Sequence, residues 1–449
     1  MMGRGENGMT QQLDLNRCRG RSFLEIYYDA AFALSLLCCA LVGRFPQYSL
    51  ILSGVMVLCF ASSILSDRFF LYMALFMFMR NKMVIGGTTA YRFYSYLLVL
   101  RMLMELPRLR LRVGQLPVLL VIALHCLFAG SRVDMRMSMN VLVDCVLIYL
   151  VLCRVLQDDR LTRQFLLAFL MGMVLSGIYG FTATDAFRDI TVDGRSEEIN
   201  RNYGSLGDAN YAGFYYVMAF FIALELRGLP KWINAAFAGF ALILVLRTAS
   251  LSALLTLVVL LCFWILLRER SRAVPILIML ALGGVLVLSM LLSIPAFRRI
   301  PQISGLVLRI AEKLRYLQLG RWDMLTTDRY DLWTAALSLF SGKSLAGKLF
   351  GGSVITMFLA GTNIRATYWA VHQSYIQALL NFGILGTLAV FLPILAIYFY
   401  RLANHMMRPR GYANEDIRII QLMCVTAFLV FGMTVDFFID WAYLFFLLI

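Results

Sequence analysis

Residues 249–294 read ASLSALLTLVVLLCFWILLRERSRAVPILIMLALGGVLVLSMLLSI, two apolar runs parted only by Arg268-Glu269-Arg270-Ser271-Arg272. Each run is about 20 residues, the length an α-helix needs to cross roughly 30 Å of hydrocarbon. The same alternation of apolar run and arginine cluster continues in both directions. Across 449 residues, 61% are hydrophobic and 15% charged, and the mean hydropathy is +0.77. A soluble chain carries about 25% charged residues, so this composition excludes a soluble globular protein. Activities that need a large aqueous domain are excluded too, because no polar stretch between apolar runs exceeds about 80 residues. The predicted fold class is an all-α polytopic integral membrane protein of about 12–14 transmembrane helices, with one long outer-face loop that contains amphipathic helices.

Outward from the quoted stretch, spans are predicted near 23–43, 49–65, 69–86, 89–106, 115–130, 138–156, 164–183, 208–227, 230–246, 249–267, 273–294, 374–400, 418–434 and 436–449. Arg4, Arg17, Arg19 and Arg21 precede the first span. That start resembles a signal peptide but lacks a small-residue cleavage site and is followed by more spans. It reads as an uncleaved anchor with a cytoplasmic N-terminus. Alternation then places Arg101 to Arg112, Arg154 to Arg163, Arg268 to Arg272 and Arg401 to Arg418 inside, as the positive-inside rule requires. The organisation is a cytoplasmic segment 1–22, a helix array 23–294, a long extracytoplasmic loop 295–373 and C-terminal spans 374–449.

The net charge of +15 rests on 41 Lys plus Arg against 26 Asp plus Glu, and only five of the basic residues are lysine. Arginine is the better bidentate partner for phosphate. The long loop carries ten basic residues (Arg298, Arg299, Arg309, Lys313, Arg315, Arg321, Arg329, Lys343, Lys348, Arg365) and four acidic ones (Glu312, Asp323, Asp328, Asp331) on the side where orientation does not call for them. Within it, Ile303, Leu306, Val307, Ile310, Leu314 and Leu317 recur at helical spacing with Arg309, Lys313 and Arg315 between them. This predicts an amphipathic helix at the outer membrane surface, for which binding to anionic lipid headgroups is the alternative to a functional role. A second helix is predicted from Asp328 as N-cap, with Arg329 and Trp333 one turn apart.

The nine cysteines show no CxxC and no disulfide framework, and read as packing residues in helices. Of three histidines, His125 falls within an apolar span and His405 in a basic inner loop, where it reads as solvated. His372 alone lies at the outer edge, in Tyr368-Trp369-Ala370-Val371-His372-Gln373-Ser374-Tyr375, where the long loop re-enters a helix. On a continuous helix Gly383 returns to within about 20° of the His372 face and about 16 Å deeper, so that a neighbouring helix approaches closely beneath the histidine. A second constellation opens the span near 208: Arg201-Asn202-Tyr203-Gly204-Ser205-Leu206-Gly207-Asp208-Ala209-Asn210-Tyr211. Asp208 is placed to cap the helix, and Arg201 lies just outside its N-terminus, an arrangement suited to an anion. Neither a DxD pair nor a His/Cys/carboxylate cluster at ligand spacing stands in the outer segments. A phosphate there is therefore expected to meet arginine, with no metal and no cofactor.

On these residues the chain resembles the O-antigen ligase and O-antigen polymerase superfamily of bacterial membrane glycosyltransferases. Arg201 to Asn210 looks like the family's Arg-x-x-Gly…Asn helix start. Asp328-Arg329-Tyr330-Asp331-Leu332-Trp333 looks like the arginine-tryptophan motif of its long outer loop. His372 to Gly383, continuing as Ile384-Leu385-Gly386, looks like its histidine followed by glycine. The likeness covers residues 200–400. Two departures stand out: many members carry Ser-Arg where this chain reads Thr248-Ala249-Ser250-Leu251, and the family's Arg-x-x-x-Leu spacing is met by Arg321 and Leu325, whereas Arg329 has Trp333.

The resemblance implies metal-independent transfer of a glycan from an undecaprenyl-diphosphate-linked oligosaccharide donor to a glycan or lipid-linked acceptor, on the outer face of a bacterial plasma membrane. Polymerase is placed slightly ahead of ligase. It assigns His372 and Arg329 to catalysis and Arg201, Arg329 and Arg321 to the diphosphate, with Asp208, Asn210, Trp333 and Gly383 in support. The lipid bilayer is the expected surrounding, and no nucleic-acid partner is expected. The alternative is a flippase or transporter of an anionic lipid-linked sugar, for which Asp29, Asp144, Asp436 and Asp440 are the carboxylates at hand.

Overall fold

The computed structural model describes residues 22–111, 116–127, 132–183, 187–192, 195–269, 272–294, 304–321, 324, 329–352, 371–409 and 411–435. α1 (Phe23–Val42), α2 (Ser49–Ser62) and α3 (Arg68–Met79) lead into a hairpin of β1 (Val84–Ile85) and β2 (Thr88–Thr89). α4 (Ala90–Glu105), α5 (Leu116–Leu127), α6 (Arg132–Val155) and α7 (Asp159–Thr182) precede a second hairpin, β3 (Phe187–Val192) and β4 (Arg195–Asn202). α8 (Ala209–Glu225), α9 (Lys231–Arg247), α10 (Leu251–Glu269) and α11 (Ala273–Ser293) follow. The long loop contains α12 (Ser304–Gln318), α13 (Arg329–Ser341) and α14 (Leu345–Phe350), and α15 (Ser374–Met407) and α16 (Glu415–Phe431) return through the bundle.

Each predicted span up to residue 434 contains a helix, and 436–449 lies outside the described residues. α1, α7, α10 and α15 are long and apolar enough to cross a bilayer. The chain is mostly helical, as expected, but the two antiparallel hairpins were not. A two-stranded ribbon such as β3–β4, rich in charge, contains no apolar run and leaves no mark on a reading built from apolar runs.

The predicted span 69–86 ends early, at Met79. Gly86 and Gly87 (φ 52° and 83°) turn the chain back after Arg80-Asn81-Lys82. The 12 residues of α3 reach only about 18 Å, well under a bilayer's hydrocarbon thickness. Phe69 to Met79 are buried on every side, so α3 is the centre of the bundle. Phe60 packs edge-on against Tyr72, Phe76 and Tyr94 at centroid distances of 5.8, 6.1 and 5.7 Å, contacts worth about 0.5–1.5 kcal/mol each beyond their burial.

One end of the bundle is closed by ion pairs. Arg101 meets Glu105 at 2.7 Å, Arg154 meets Asp67 at 3.0 Å and Arg227 meets Glu415 at 3.0 Å. Arg163 pairs with Asp416, and Arg268 with Glu225. Arg101, Arg154, Arg163 and Arg268 belong to the segments predicted to be cytoplasmic. His405 joins them and is fully buried, not solvated: Tyr412 Oη lies 3.0 Å from its Nδ1 and the Leu267 carbonyl 3.4 Å from its Nε2. The basic loop around it folds back as a cover, which charge content alone does not reveal.

Candidate functional site

The opposite end is built from helix starts. Before α8 the chain turns through Gly204 and Gly207 (φ 56° and 82°). A Cβ on Gly204 would lie 2.2 Å from Tyr216 Oη and 2.5 Å from Ser176 Oγ, so no larger residue fits. Asn202 anchors the turn by donating to the Gly180 carbonyl (2.8 Å) and accepting from Gly204 N–H (2.7 Å), and Ser205 Oγ donates to the Phe78 carbonyl (2.7 Å). Asp208 caps α8 as predicted, accepting from the N–H groups of Asn210 (2.7 Å) and Tyr211 (3.2 Å). Its carboxylate thus stands at the positive end of the helix dipole. Asn210 accepts from Ser250 Oγ (2.8 Å), which ties the start of α8 to the start of α10.

The start of α15 is held just as firmly. Ser374 N–H donates to the Gly432 carbonyl (2.8 Å) and Ser374 Oγ to the Val435 carbonyl (2.7 Å), while Val371 N–H donates to Gln377 Oε1 (3.2 Å). Between these clamps His372 takes a left-handed backbone, φ 53°. For a non-glycine residue that costs about 1–2 kcal/mol, and it persists only where the surroundings impose it. Gln373 caps α15, so His372 lies outside the helix.

The predicted helical stripe from His372 to Gly383 is therefore corrected: the helix starts after the histidine, and it breaks at Gly383 (φ 67°, ψ −173°). The break lets the chain after α14 approach closely. A Cβ on Gly383 would lie 2.4 Å from Gly351 N, and one on Gly351 would lie 2.1 Å from the Asn381 carbonyl oxygen. Carbonyls released by the break find new donors, Lys343 Nζ at 2.7 Å from Leu380 O and Gly352 N–H at 3.3 Å from Asn381 O. Close approach at Gly383 was legible in the sequence; its cause, a broken helix, was not.

α13 delivers Arg329, whose Nη1 donates to the Thr434 carbonyl at 2.7 Å. One turn on, Trp333 packs against Ala336, Val371 and Leu380 and so buttresses the residue before His372. In α12, Leu306 and Val307 are buried, Leu314 and Leu317 are exposed, and Arg309 turns inward to donate from Nη1 to the Ala249 carbonyl at 2.6 Å.

Electrostatics couples several of these groups. The His372 imidazole is pulled below its usual range, first by burial and then by the Arg329 charge, with the Asp208 carboxylate opposing. Burial also lowers Arg329, the neighbouring Arg309 adds to the fall, and Asp208 and Tyr211 counter it. Arg309 is lowered by burial, with Glu312 opposing. His372, Arg329, Arg309, Asp208 and Tyr211 thus share one electrostatic neighbourhood. At pH 7 it holds a neutral imidazole and two guanidinium ions.

The structure accordingly brings together three predicted residues, His372, Arg329 and Asp208, with Asn210 and Trp333 bracing them. It separates the two loop arginines: Arg321 is exposed beyond the end of α12, and Arg329 is in the cluster. Arg201 lies in β4 with its backbone opposite Arg188, one residue from the anchored Asn202. Its side chain, like that of His125, is outside the described residues, as are Asp328 and Leu325. Arg309 and Ala249 were missed as site residues, because neither spacing nor composition tells which side of an amphipathic helix faces protein. Among the carboxylates of the alternative reading, Asp29 pairs with Arg68 (2.6 Å) and Asp144 with Arg80 (3.1 Å). Neither a known family model nor a curated protein matches the chain.

Proposed function

We propose that this protein is a membrane glycosyltransferase that transfers a glycan from a polyprenyl-diphosphate-linked donor to a sugar hydroxyl. The observation that carries the reading is a half-buried histidine held in left-handed backbone (φ 53°) that shares its electrostatic surroundings with a half-buried arginine anchored on the Thr434 carbonyl, at one end of an apolar helical bundle. The acceptor oxygen bonds to the anomeric carbon, and the anomeric carbon–oxygen bond to the diphosphate breaks. The acceptor's proton passes to the His372 imidazole, and the electron pair leaves with the diphosphate, whose growing charge Arg329 stabilises. A base needs its proton-accepting form at working pH, and the lowered pKa of His372 provides it. Asp208 limits that lowering and steadies the imidazolium formed after transfer.

The apolar surfaces of the helices accommodate the polyprenyl tail, leaving the diphosphate at the arginine-bearing end. In this reading that end faces outward from a bacterial plasma membrane, the ion-paired end faces the cytoplasm, and a second lipid-linked glycan is the acceptor, as in a polymerase. The test uses purified protein in liposomes with a fluorescent polyprenyl-diphosphate oligosaccharide. Longer lipid-linked glycan and released polyprenyl diphosphate are expected. Movement of intact donor between leaflets without new product would replace the transferase by the translocator.

A further inference from the structure

The mechanism above uses one arginine, yet the site contains two. Arg309 lies within about 20° of Tyr316 around α12, and Tyr316 is buried, so this side of the helix faces the bundle. An arginine on a lipid-surface helix keeps its head in water. Arg309 instead inserts its head at the turn between α9 and α10, where Ala249 adopts φ 48° and accepts from Nη1 at 2.6 Å. That is its one hydrogen bond among the described residues, from a group with five N–H donors. Arg329 likewise donates to a single carbonyl. Among the described residues no carboxylate forms an ion pair with either of them. The starts of α8 and α10, joined through Ser250 and Asn210, add positive helix ends on the same side.

The two anchoring carbonyls lie at the same end of packed antiparallel helices, Ala249 before α10 and Thr434 after α16, so the two guanidinium ions repel one another, and a ligand with two adjacent anionic groups offers each its own partner. We infer that Arg309 and Arg329 clamp one diphosphate between them, one guanidinium per phosphate, and that Arg309 is the residue that selects diphosphate over monophosphate. The inference rests on the reading of the site as one for a lipid-linked diphosphate, and it adds the residue that measures the length of the anion.

Binding without turnover tests it. Full-length protein in nanodiscs of phosphatidylcholine is titrated with geranylgeranyl diphosphate, geranylgeranyl monophosphate and inorganic diphosphate. The natural protein is expected to prefer the diphosphate lipid, with inorganic diphosphate competing at lower affinity because it has no tail. Arg309→Gln still offers an N–H to Ala249, so it separates charge from anchoring. It is expected to weaken diphosphate binding roughly 10- to 100-fold, as loss of a charge-assisted hydrogen bond does. Monophosphate binding should stay within about threefold. A folded Arg309→Gln protein with undiminished preference overturns the clamp and leaves Arg309 a structural anchor, and so does a failure of inorganic diphosphate to compete.

Footprinting of the unaltered protein with an arginine-directed dicarbonyl reagent covers the case in which that variant does not fold. Geranylgeranyl diphosphate should shield both arginines and the monophosphate only Arg329. Equal modification of Arg309 with and without diphosphate contradicts the inference. A protein that discriminates as expected yet transfers no glycan upholds the clamp and removes the transferase.

Discussion

The two ends of the bundle use the same residue in opposite ways. At one end Arg101, Arg154, Arg163, Arg227 and Arg268 each meet a carboxylate, and Asp416 and Glu225 are almost wholly buried in doing so. At the other, Arg309 and Arg329 are anchored on carbonyls, beside a histidine and an alanine in left-handed backbone conformations. Arginine neutralised by the chain's own carboxylates closes a structure. Arginine held on neutral carbonyls has no ion-pair partner among the described residues, and under the proposed function its charge serves a ligand, with the strained backbone beside it giving up stability for placement.

Substitutions at the two ends should therefore separate turnover from stability. His372→Ala is expected to reduce turnover by about 10²–10⁴-fold, the usual contribution of a positioned base. His372→Gly should lose as much while raising thermal stability, because glycine removes about 1 kcal/mol of left-handed strain. Unfolding and turnover measured on the same preparation check both, and a less stable glycine variant would break the contrast.

Arg329→Gln should lower turnover about 10²–10³-fold and also move the acid limb of the pH profile. The imidazole must be neutral to act, and its pKa is held below 6.5. Turnover is thus expected to fall only as the pH drops through that lowered value. Removing the Arg329 charge raises that value, so the limb moves to higher pH.

At the other end, Asp416→Asn leaves Arg163 without its partner and should cost about 3–5 kcal/mol of stability. Turnover per folded molecule should be unchanged. The smallest effect is expected from Asp208→Asn. Asparagine caps a helix nearly as well, so stability should hold within about 0.5 kcal/mol. The carboxylate that raises the His372 pKa is gone, however, and the acid limb should move to lower pH.

Much of this was legible in the sequence because it rests on periodic or local signals. Apolar runs located the helices, Asp208 read as a cap because an N-cap is a one-residue signal, and His372 emerged as the single histidine at the predicted outer edge. What was not legible depends on contacts between distant segments. α3 is a buried core helix, as its packing partners decide. That Arg329 reaches the Thr434 carbonyl while Arg321 is exposed depends on such contacts. That the Arg309 side of α12 meets the turn at Ala249 is likewise not written in the sequence. His405 was misplaced in the same way, by a loop that folds back over it.

The central claim is that the carbonyl-anchored arginine and the strained histidine act together on a diphosphate-linked glycan. Its most direct test is turnover of a synthetic polyprenyl-diphosphate oligosaccharide by the purified protein, its His372→Ala and Arg329→Gln variants, and Asp416→Asn as the control from the other end. Extended glycan and free polyprenyl diphosphate are expected from the natural protein and, per folded molecule, from Asp416→Asn, with neither product from the other two. Undiminished turnover by folded His372→Ala and Arg329→Gln would contradict it.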